Sequence, residues 1–191
     1  MANESCLMVL GKGVDRWNEW RRQNPSIRPD LSYADLQARN LSWADFSDAN
    51  LSYANFTDAY LSQAKFGGAR LYGAYLTRAN LYRAVFDQAD LSGAFLNGAF
   101  LVEGSFLGAD LSRSELSRAS LQGANLQGAL LEQGQAIRSL SLRSGPQGRD
   151  PGRGVASVAG PSFSGQKSIR RQSGARAQRA SGNNASTPSP R

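Results

Sequence analysis

Between residues 31 and 131, a large apolar residue occupies every fifth position of the chain. All 21 of these positions are Leu or Phe, 16 and 5 respectively, and 17 of the residues two places before them are Ala. The four exceptions in the Ala series are Pro29, Arg39, Gly104 and Ser114. The other three positions of each repeat are mostly polar residues or Gly. This pattern predicts a repeat architecture whose unit is five residues long.

A period of five matches neither an α-helix, at about 3.6 residues per turn, nor a flat strand, in which alternate residues share a face. It predicts a chain that turns a corner once per repeat. The large and the small residue then point inward, and the other three residues point outward or form the bend. Such an interior is narrow, because a second large side chain per repeat would overfill it.

The Phe residues indicate how many repeats complete one coil. Four of the five recur at intervals of twenty, at Phe46, Phe66, Phe86 and Phe106, and only Phe56 departs from the series. Twenty residues are four repeats, so we expect a four-sided coil in which these rings stack in one column. About five coils follow, and the spacing of paired strands, about 4.8 Å, gives a rod roughly 24 Å long.

The N-terminal end of such a rod needs a cover, since an open β-edge is a liability. Val14, Trp17 and Trp20 share one helical face, and the spacing predicts a helix over 14–22 that ends before Asn24-Pro25. The two tryptophans suit a lid over the first coil. A helix that offers its tryptophans to a partner is the alternative.

The chain therefore divides into four segments. We expect an N-terminal capping helix and linker at 1–28, followed by an all-β solenoid at 29–133, its C-terminal edge at 134–144 and a tail at 145–191. Within the first segment, Ser5–Leu10 adds a helical turn or two before Gly11 and Gly13. The tail is rich in Gly, Ser, Pro, Arg and Gln and poor in bulky apolar residues. That composition predicts a disordered segment, because it buries too little surface to offset chain entropy.

The net charge of +7 belongs to the tail. Residues 1–28 carry five basic and three acidic residues, residues 29–133 seven and eleven, and residues 134–191 ten and one, which gives +2, −4 and +9. Four tail arginines lie within ten residues, at Arg170, Arg171, Arg176 and Arg179. They predict weak contact with nucleic acid or an anionic surface, without sequence recognition. A solvated extension with no function is the alternative.

The residue inventory argues against catalysis. The chain has no His, which is the commonest general base and metal ligand, and its one cysteine, Cys6, supports neither an internal disulfide nor a thiolate metal site. We expect no enzyme, no cofactor and no metal. Near the N-terminus the longest apolar run is Cys6–Leu10, too short for a membrane span or a signal-peptide core. We therefore expect a cytoplasmic protein without a transmembrane segment.

The run Ala89-Asp90-Leu91-Ser92-Gly93-Ala94 resembles the repeats of pentapeptide-repeat proteins, and the resemblance extends over about 105 residues. The stretch Trp17–Arg21 before Pro29-Asp30-Leu31 resembles the N-terminal caps of cyanobacterial members. The resemblance implies a right-handed quadrilateral β-helix. Many such proteins have no assigned activity, and a few mimic DNA and bind type II topoisomerases. Mimicry is the less favoured alternative here, because Asp30, Asn50, Arg70, Asp90 and Asp110 form no continuous acidic row.

The residue before each Leu or Phe should point outward, and over most of the rod it is polar or charged. Five residues depart from this rule, namely Tyr60, Tyr75, Val85, Phe95 and Phe100. Of these, Tyr75 and Phe95 stack on one side of the rod, and Phe100 follows on the adjoining side with Val102 just beyond it. Together these four residues predict an apolar patch on coils three and four, since exposed aromatic residues often anchor protein contacts. We therefore expect a scaffold that binds an unidentified protein or a second copy of itself. Rings that lie flat and only cover backbone are the alternative.

Arg39 stands in the column where Ala is expected. An unpaired guanidinium in a narrow apolar interior would be very costly. Two explanations remain open at this stage. Either a local bulge or an end effect lets the side chain reach water, or Arg39 pairs with Asp15 or Glu19 of the capping helix.

Overall fold

The computed structural model of the protein describes residues 2–131. It begins with two helices, α1 (Glu4–Gly11) and α2 (Val14–Gln23). Asn3 starts α1, because its side-chain oxygen accepts hydrogen bonds from the backbone N–H groups of Ser5 and Cys6. The upstream segment, for which we expected a turn or two, forms a separate helix of eight residues. Gly13, at a φ of 105°, separates the two helices.

The repeat region forms a parallel β-solenoid with four sides per coil. Every β-bridge joins residues twenty apart, from Asp30 with Asn50 to Asp110 with Leu130, and all of the bridges are parallel. Each side contributes one bridge residue, and the described residues contain no longer strand. Residues 30–129 thus make five coils, which confirms the period of twenty that the Phe residues predicted.

Each repeat bends through the same hydrogen-bonded turn. The Ala34 N–H donates to the Leu31 carbonyl at 3.1 Å, and this bond recurs at nearly every later repeat. The third residue of the turn has a positive φ, for example 61° at Tyr33. This is the position at which a type II turn requires the left-handed region. Thirteen non-glycine residues adopt it here, and the N–H groups of eleven of them donate to a backbone carbonyl of the next coil.

The interior follows the two predicted columns. Leu81, Leu91, Ala79 and Ala89 are all buried, as expected. The four Phe residues at intervals of twenty form one continuous stack, which is tightest between Phe66 and Phe86 with 4.6 Å between ring centroids and 2° between planes. Phe56 meets this stack edge-on instead. The small residue of each repeat leaves the space that these rings fill.

The two helices cover part of the first coil. Trp17 is fully buried, lies 5.7 Å from the ring of Phe46 and donates its Nε1–H to the Asp45 carbonyl at 2.8 Å. Trp20 stacks on Trp17 from outside and remains half-buried. Arg21 is also buried, and its guanidinium donates to the carbonyls of Ile27 and Ser47. Together, Trp17 and Arg21 hold α2 against the end of the rod through apolar contact and hydrogen bonds.

Arg39 is exposed and makes no salt bridge within the described residues. The expected alternative of a pair with Glu19 is wrong, because Glu19 bonds to Arg22 and Gln23 instead. No pair with Asp15 forms either in residues 2–131. The end effect explains the position, since the first coil has no coil before it to enclose this side chain.

Two of the predicted segments, residues 134–144 and 145–191, lie outside the described residues, as do Arg170, Arg171, Arg176 and Arg179.

Candidate interaction surface

Tyr75 and Phe95 form an exposed aromatic pair on the wall of the solenoid. Their backbones are bridged, and the two rings stack with 5.1 Å between centroids and 7° between planes. The Tyr75 residue is 44% exposed and Phe95 is half-buried. The repeat places both outward, because each stands immediately before an inward-pointing Leu. Consecutive coils therefore align the two rings without any further element to support them.

Three more tyrosines form a second set of contacting rings. Tyr33 stacks on Tyr53 at 5.0 Å and 16°, and Tyr53 meets Tyr72 edge-on at 5.4 Å and 90°. All three are exposed. We call the five residues Tyr33, Tyr53, Tyr72, Tyr75 and Phe95 the tyrosine face.

The electrostatics of Tyr53 show that these phenols are close neighbours. Desolvation raises the pKa of Tyr53 above its usual value, and the phenols of Tyr72, Tyr33 and Tyr75 raise it further. A phenolate at Tyr53 would lie in this poorly solvated group of rings and near other ionisable phenols. The raised pKa therefore favours the neutral phenol of Tyr53.

Phe100 belongs to a second cluster. The ring of Phe100 packs against Tyr82 at 6.4 Å, and the Arg83 guanidinium lies 5.0 Å from the Tyr82 ring centroid. Arg83 also binds Glu103 at 2.6 Å, so charged groups border this cluster. Val102 is half-buried in the same coil as Phe100. Within residues 2–131 no ring contact joins Phe95 to Phe100, so the four predicted residues fall into two groups.

Sequence reasoning had missed the first three members of the tyrosine face. Tyr33 and Tyr53 stand twenty residues apart, which is the same signal that identified the Phe column. Tyr72 is out of that register by one residue, and its neighbour Gly73 makes room for the ring of Tyr53, which Tyr72 meets edge-on. An interval of twenty residues therefore identifies Tyr33 and Tyr53 as a pair, but it does not identify Tyr72.

The outward charges are mixed rather than arranged in acidic rows. Asp30, Asn50, Arg70, Asp90 and Asp110 do lie in one bridged row, so the predicted interruption by Arg70 is present in the fold. Elsewhere Arg78 holds Asp58 in a two-bond contact of 2.6 and 2.8 Å, which lowers the pKa of that carboxyl. Paired carboxylates of this kind do not reproduce the charge pattern of a phosphate backbone.

Other types of site have little support in the described chain. Residues 2–131 contain no cluster of three or more His, Cys, Asp or Glu side chains placed to hold a metal ion. No helix in this part of the protein has the length and apolar character needed to cross a membrane. The surface clefts are open ones, such as the polar cleft along α2 lined by Asp15, Arg16, Asn18, Glu19, Arg22 and Gln23.

The repeat pattern has a direct match among known families. A family profile described as pentapeptide repeats matches residues 30–68, 61–101 and 101–133 with eight copies, which together span more than half of the chain. The chain belongs to the pentapeptide repeat family. Membership implies the right-handed, quadrilateral form of the β-helix. No curated protein gives a significant match.

Solved structures of other pentapeptide repeat proteins are similar to this chain. One from the thylakoid lumen of Arabidopsis thaliana is 34% identical over 49% of this chain and 66% of its own, with a TM-score of 0.48. Rfr23 from the cyanobacterium Cyanothece 51142 is 23% identical over 61% and 90%, with a TM-score of 0.39. HetL from the cyanobacterium Nostoc, described as involved in heterocyst differentiation regulation, is 26% identical over 59% and 64%, with a TM-score of 0.25.

Proposed function

We propose that this pentapeptide repeat protein is a non-catalytic scaffold that binds another protein through the outward aromatic residues of coils three and four, namely Tyr75 and Phe95 of the tyrosine face together with Phe100. The observation that carries the proposal is the stacked pair on the wall of the solenoid, in which Tyr75 is exposed and Phe95 is half-buried. Aromatic residues on a rigid support lose little side-chain entropy on binding, and they are frequent anchors of protein interfaces.

Two further observations support a binding role over catalysis. Pentapeptide repeat proteins are in general structural or interaction proteins. The chain also lacks His, so the usual general base of a hydrolase or transferase is missing. A reducing, cytoplasmic location is part of the proposal, because the single cysteine is buried as a free thiol.

The double substitution Phe95→Asn and Phe100→Asn tests the proposal. Asn is the residue that these columns use at Asn55 and Asn80, so the coil should remain intact. A matched control, Gln122→Asn with Gln127→Asn, changes two exposed residues of the last coil. Light scattering measures the oligomeric state of each variant, and affinity capture followed by mass spectrometry identifies bound proteins.

We expect the Phe95/Phe100 variant to lose a partner or an oligomeric contact that the control retains. Loss of a dimer would identify the partner as a second copy of the chain. Unchanged oligomeric state and unchanged captured proteins would contradict the proposal and leave the rings as a cover for the backbone.

A further inference from the structure

The first coil has no coil before it, and the two helices replace that neighbour on only two of its four sides. On one side the Asn3 N–H donates to the Asp30 carbonyl at 2.8 Å. On another side, Trp17 Nε1 donates to the Asp45 carbonyl and the Asp45 N–H donates to Asn18 Oδ1. The cap thus bonds to the Asp30 carbonyl on the first of these sides and to both the N–H and the carbonyl of Asp45 on the other.

The remaining two sides form an open edge at residues 35–42. Within the described residues nothing bonds to the N–H groups of Asp35 and Asn40, or to the carbonyls of Asp35, Gln37, Asn40 and Ser42. Asp35 and residues 37–40 are exposed.

The next coil shows how such an edge is normally paired. Its corresponding carbonyls of Asn55 and Tyr60 accept from Leu36 and Leu41 at 2.8 and 2.7 Å, and its Asn55 N–H donates to Ala34 at 2.9 Å. The open edge therefore presents the same groups, in the same order, as a segment that binds an adjacent extended chain in parallel.

The surroundings of the open edge have a distinct chemistry. The guanidinium of Arg39 is exposed and has no carboxylate partner within residues 2–131. Beside it is a cleft of about 210 Å³ lined by Leu10, Gly11, Gly13, Val14, Arg39, Asn40 and Leu41. Beyond Ser42, the Trp43 residue is 60% exposed.

We propose that the open edge binds an extended peptide segment of another protein, which adds in parallel as a partial sixth coil. Strand addition at a free sheet edge is an established mode of peptide recognition, in which backbone bonds give affinity and side-chain pockets give specificity. The peptide would carry an apolar side chain for the cleft and an acidic residue beside it for Arg39. This site is separate from Phe95 and Phe100 and goes beyond the proposed function.

The hydrogen-bonding groups and the charge of the open edge disfavour two other occupants, a second copy of the chain and the chain's own C-terminal region. Within residues 2–131 the edge has four carbonyls and two N–H groups without a bond, so a second copy that met it edge to edge would leave two carbonyls of each copy unpaired. A second rod cannot stack there as a whole coil, because α1 and α2 occupy the other two sides. The chain's own C-terminal region carries ten basic residues and one acidic residue, which is the wrong charge for Arg39.

The experiment uses the full chain and a phage-displayed library of random decapeptides. Selected peptides are synthesised, and their affinities are measured by fluorescence anisotropy. Asn40→Pro replaces a free N–H and places a ring on the edge, while Arg39→Ala removes only the charge. Gln122→Asn with Gln127→Asn is the matched control, and Phe95→Asn with Phe100→Asn separates this site from the tyrosine face.

We expect selected peptides to combine an apolar and an acidic residue. Asn40→Pro should weaken their binding at least tenfold and Arg39→Ala several-fold, while both double variants bind as the wild type does. Peptides that bind the Asn40→Pro variant equally well, or a library that yields no binder, would overturn the proposal.

Hydrogen exchange of the wild-type chain provides a measurement that does not depend on a folded variant. The amides of Asp35 and Asn40 should exchange rapidly in the free protein and slow down at least tenfold when peptide is bound. Protection of these amides in the free protein would show that another segment or a second copy already covers the edge. Protection elsewhere with no change at the edge would equally overturn the assignment.

Discussion

The ring of Tyr53 lies over Gly73, one coil further along the solenoid, so closely that a Cβ atom at position 73 would stand 2.7 Å from Tyr53 Cε1. Gly73 also has a φ of +62°. Glycine therefore has two roles at this position, as the turn residue of its own repeat and as the space in which the tyrosine face is built. A side chain at position 73 would displace the ring that joins Tyr33 to Tyr72.

Gly73→Ala should destabilise the protein and disrupt the tyrosine face. Gly93→Ala is the matched control, because Gly93 has a φ of +66° but its nearest neighbouring side-chain atom, Tyr72 Cε2, is 3.9 Å from the added Cβ. Both changes carry a backbone cost of about 1 kcal/mol in the free energy of unfolding. We expect urea melts to show a larger loss for Gly73→Ala, together with a lower titration midpoint for Tyr53. Equal losses in the two variants would show that the ring is free to move aside.

The narrow interior predicts that the column of large residues is sensitive to smaller side chains and the column of small residues to larger ones. Leu81→Ala should lower the free energy of unfolding by about 2–5 kcal/mol, because it leaves a cavity in the middle of the rod. Ala79→Leu should lower it by about 1–3 kcal/mol through overpacking. Leu126→Ala is the control, since Leu126 is only partly buried in the last coil and should cost less. An Ala79→Leu protein that melts like the wild type would be inconsistent with a close-packed interior.

Arg39 and Ala59 occupy the same column in successive coils, one exposed and the other buried. Arg39→Ala should change the free energy of unfolding by no more than about 0.5 kcal/mol. Ala59→Arg should cost more than about 3 kcal/mol, because it buries an unpaired charge. Thermal melts followed by circular dichroism check both. A tolerated Ala59→Arg would show that the coils open easily to water.

Arg21 should contribute to the stability of the cap, whereas its neighbour Arg22 should not. Arg21 is buried and donates to two carbonyls, so Arg21→Met should cost about 1.5–3 kcal/mol through the loss of charge-assisted bonds. Arg22 is exposed and pairs only with Glu19, so Arg22→Met should produce no measurable change. Hydrogen exchange of the first coil is the measurement, and equal effects of the two variants would argue against a structural role for Arg21.

The basic tail predicts a salt-dependent affinity for phosphate polymers. Replacing Arg170, Arg171, Arg176 and Arg179 together with Gln should reduce the slope of log affinity against log salt by up to about 4 on duplex DNA. Arg113→Gln with Arg118→Gln, two exposed arginines of the solenoid, should leave the slope unchanged. Titrations on anionic vesicles distinguish membrane contact from nucleic-acid contact. Identical slopes for the wild type and the tail variant would leave the tail without this role.

Much of the solenoid is determined by the sequence alone. The interval of twenty between Phe46, Phe66, Phe86 and Phe106 determines a four-sided coil, because only that geometry returns equivalent residues to one column. Burial at Leu81 and Ala79 follows in the same way, since each coil repeats the constraints of its neighbours. The outward direction of Tyr75 and Phe95 also follows, because both stand immediately before an inward residue.

Tertiary structure decided the features at which the repeat is broken or ends. The exposure of Arg39 depends on which sides of the first coil the helices cover, and that docking is fixed by bonds such as Trp17 Nε1 to the Asp45 carbonyl. Tyr72 joins the tyrosine face only because the ring of Tyr53 turns over Gly73. A local period describes contacts that every coil shares. The ends of the rod and the irregular rings depend on contacts between residues far apart in the chain, which no period encodes.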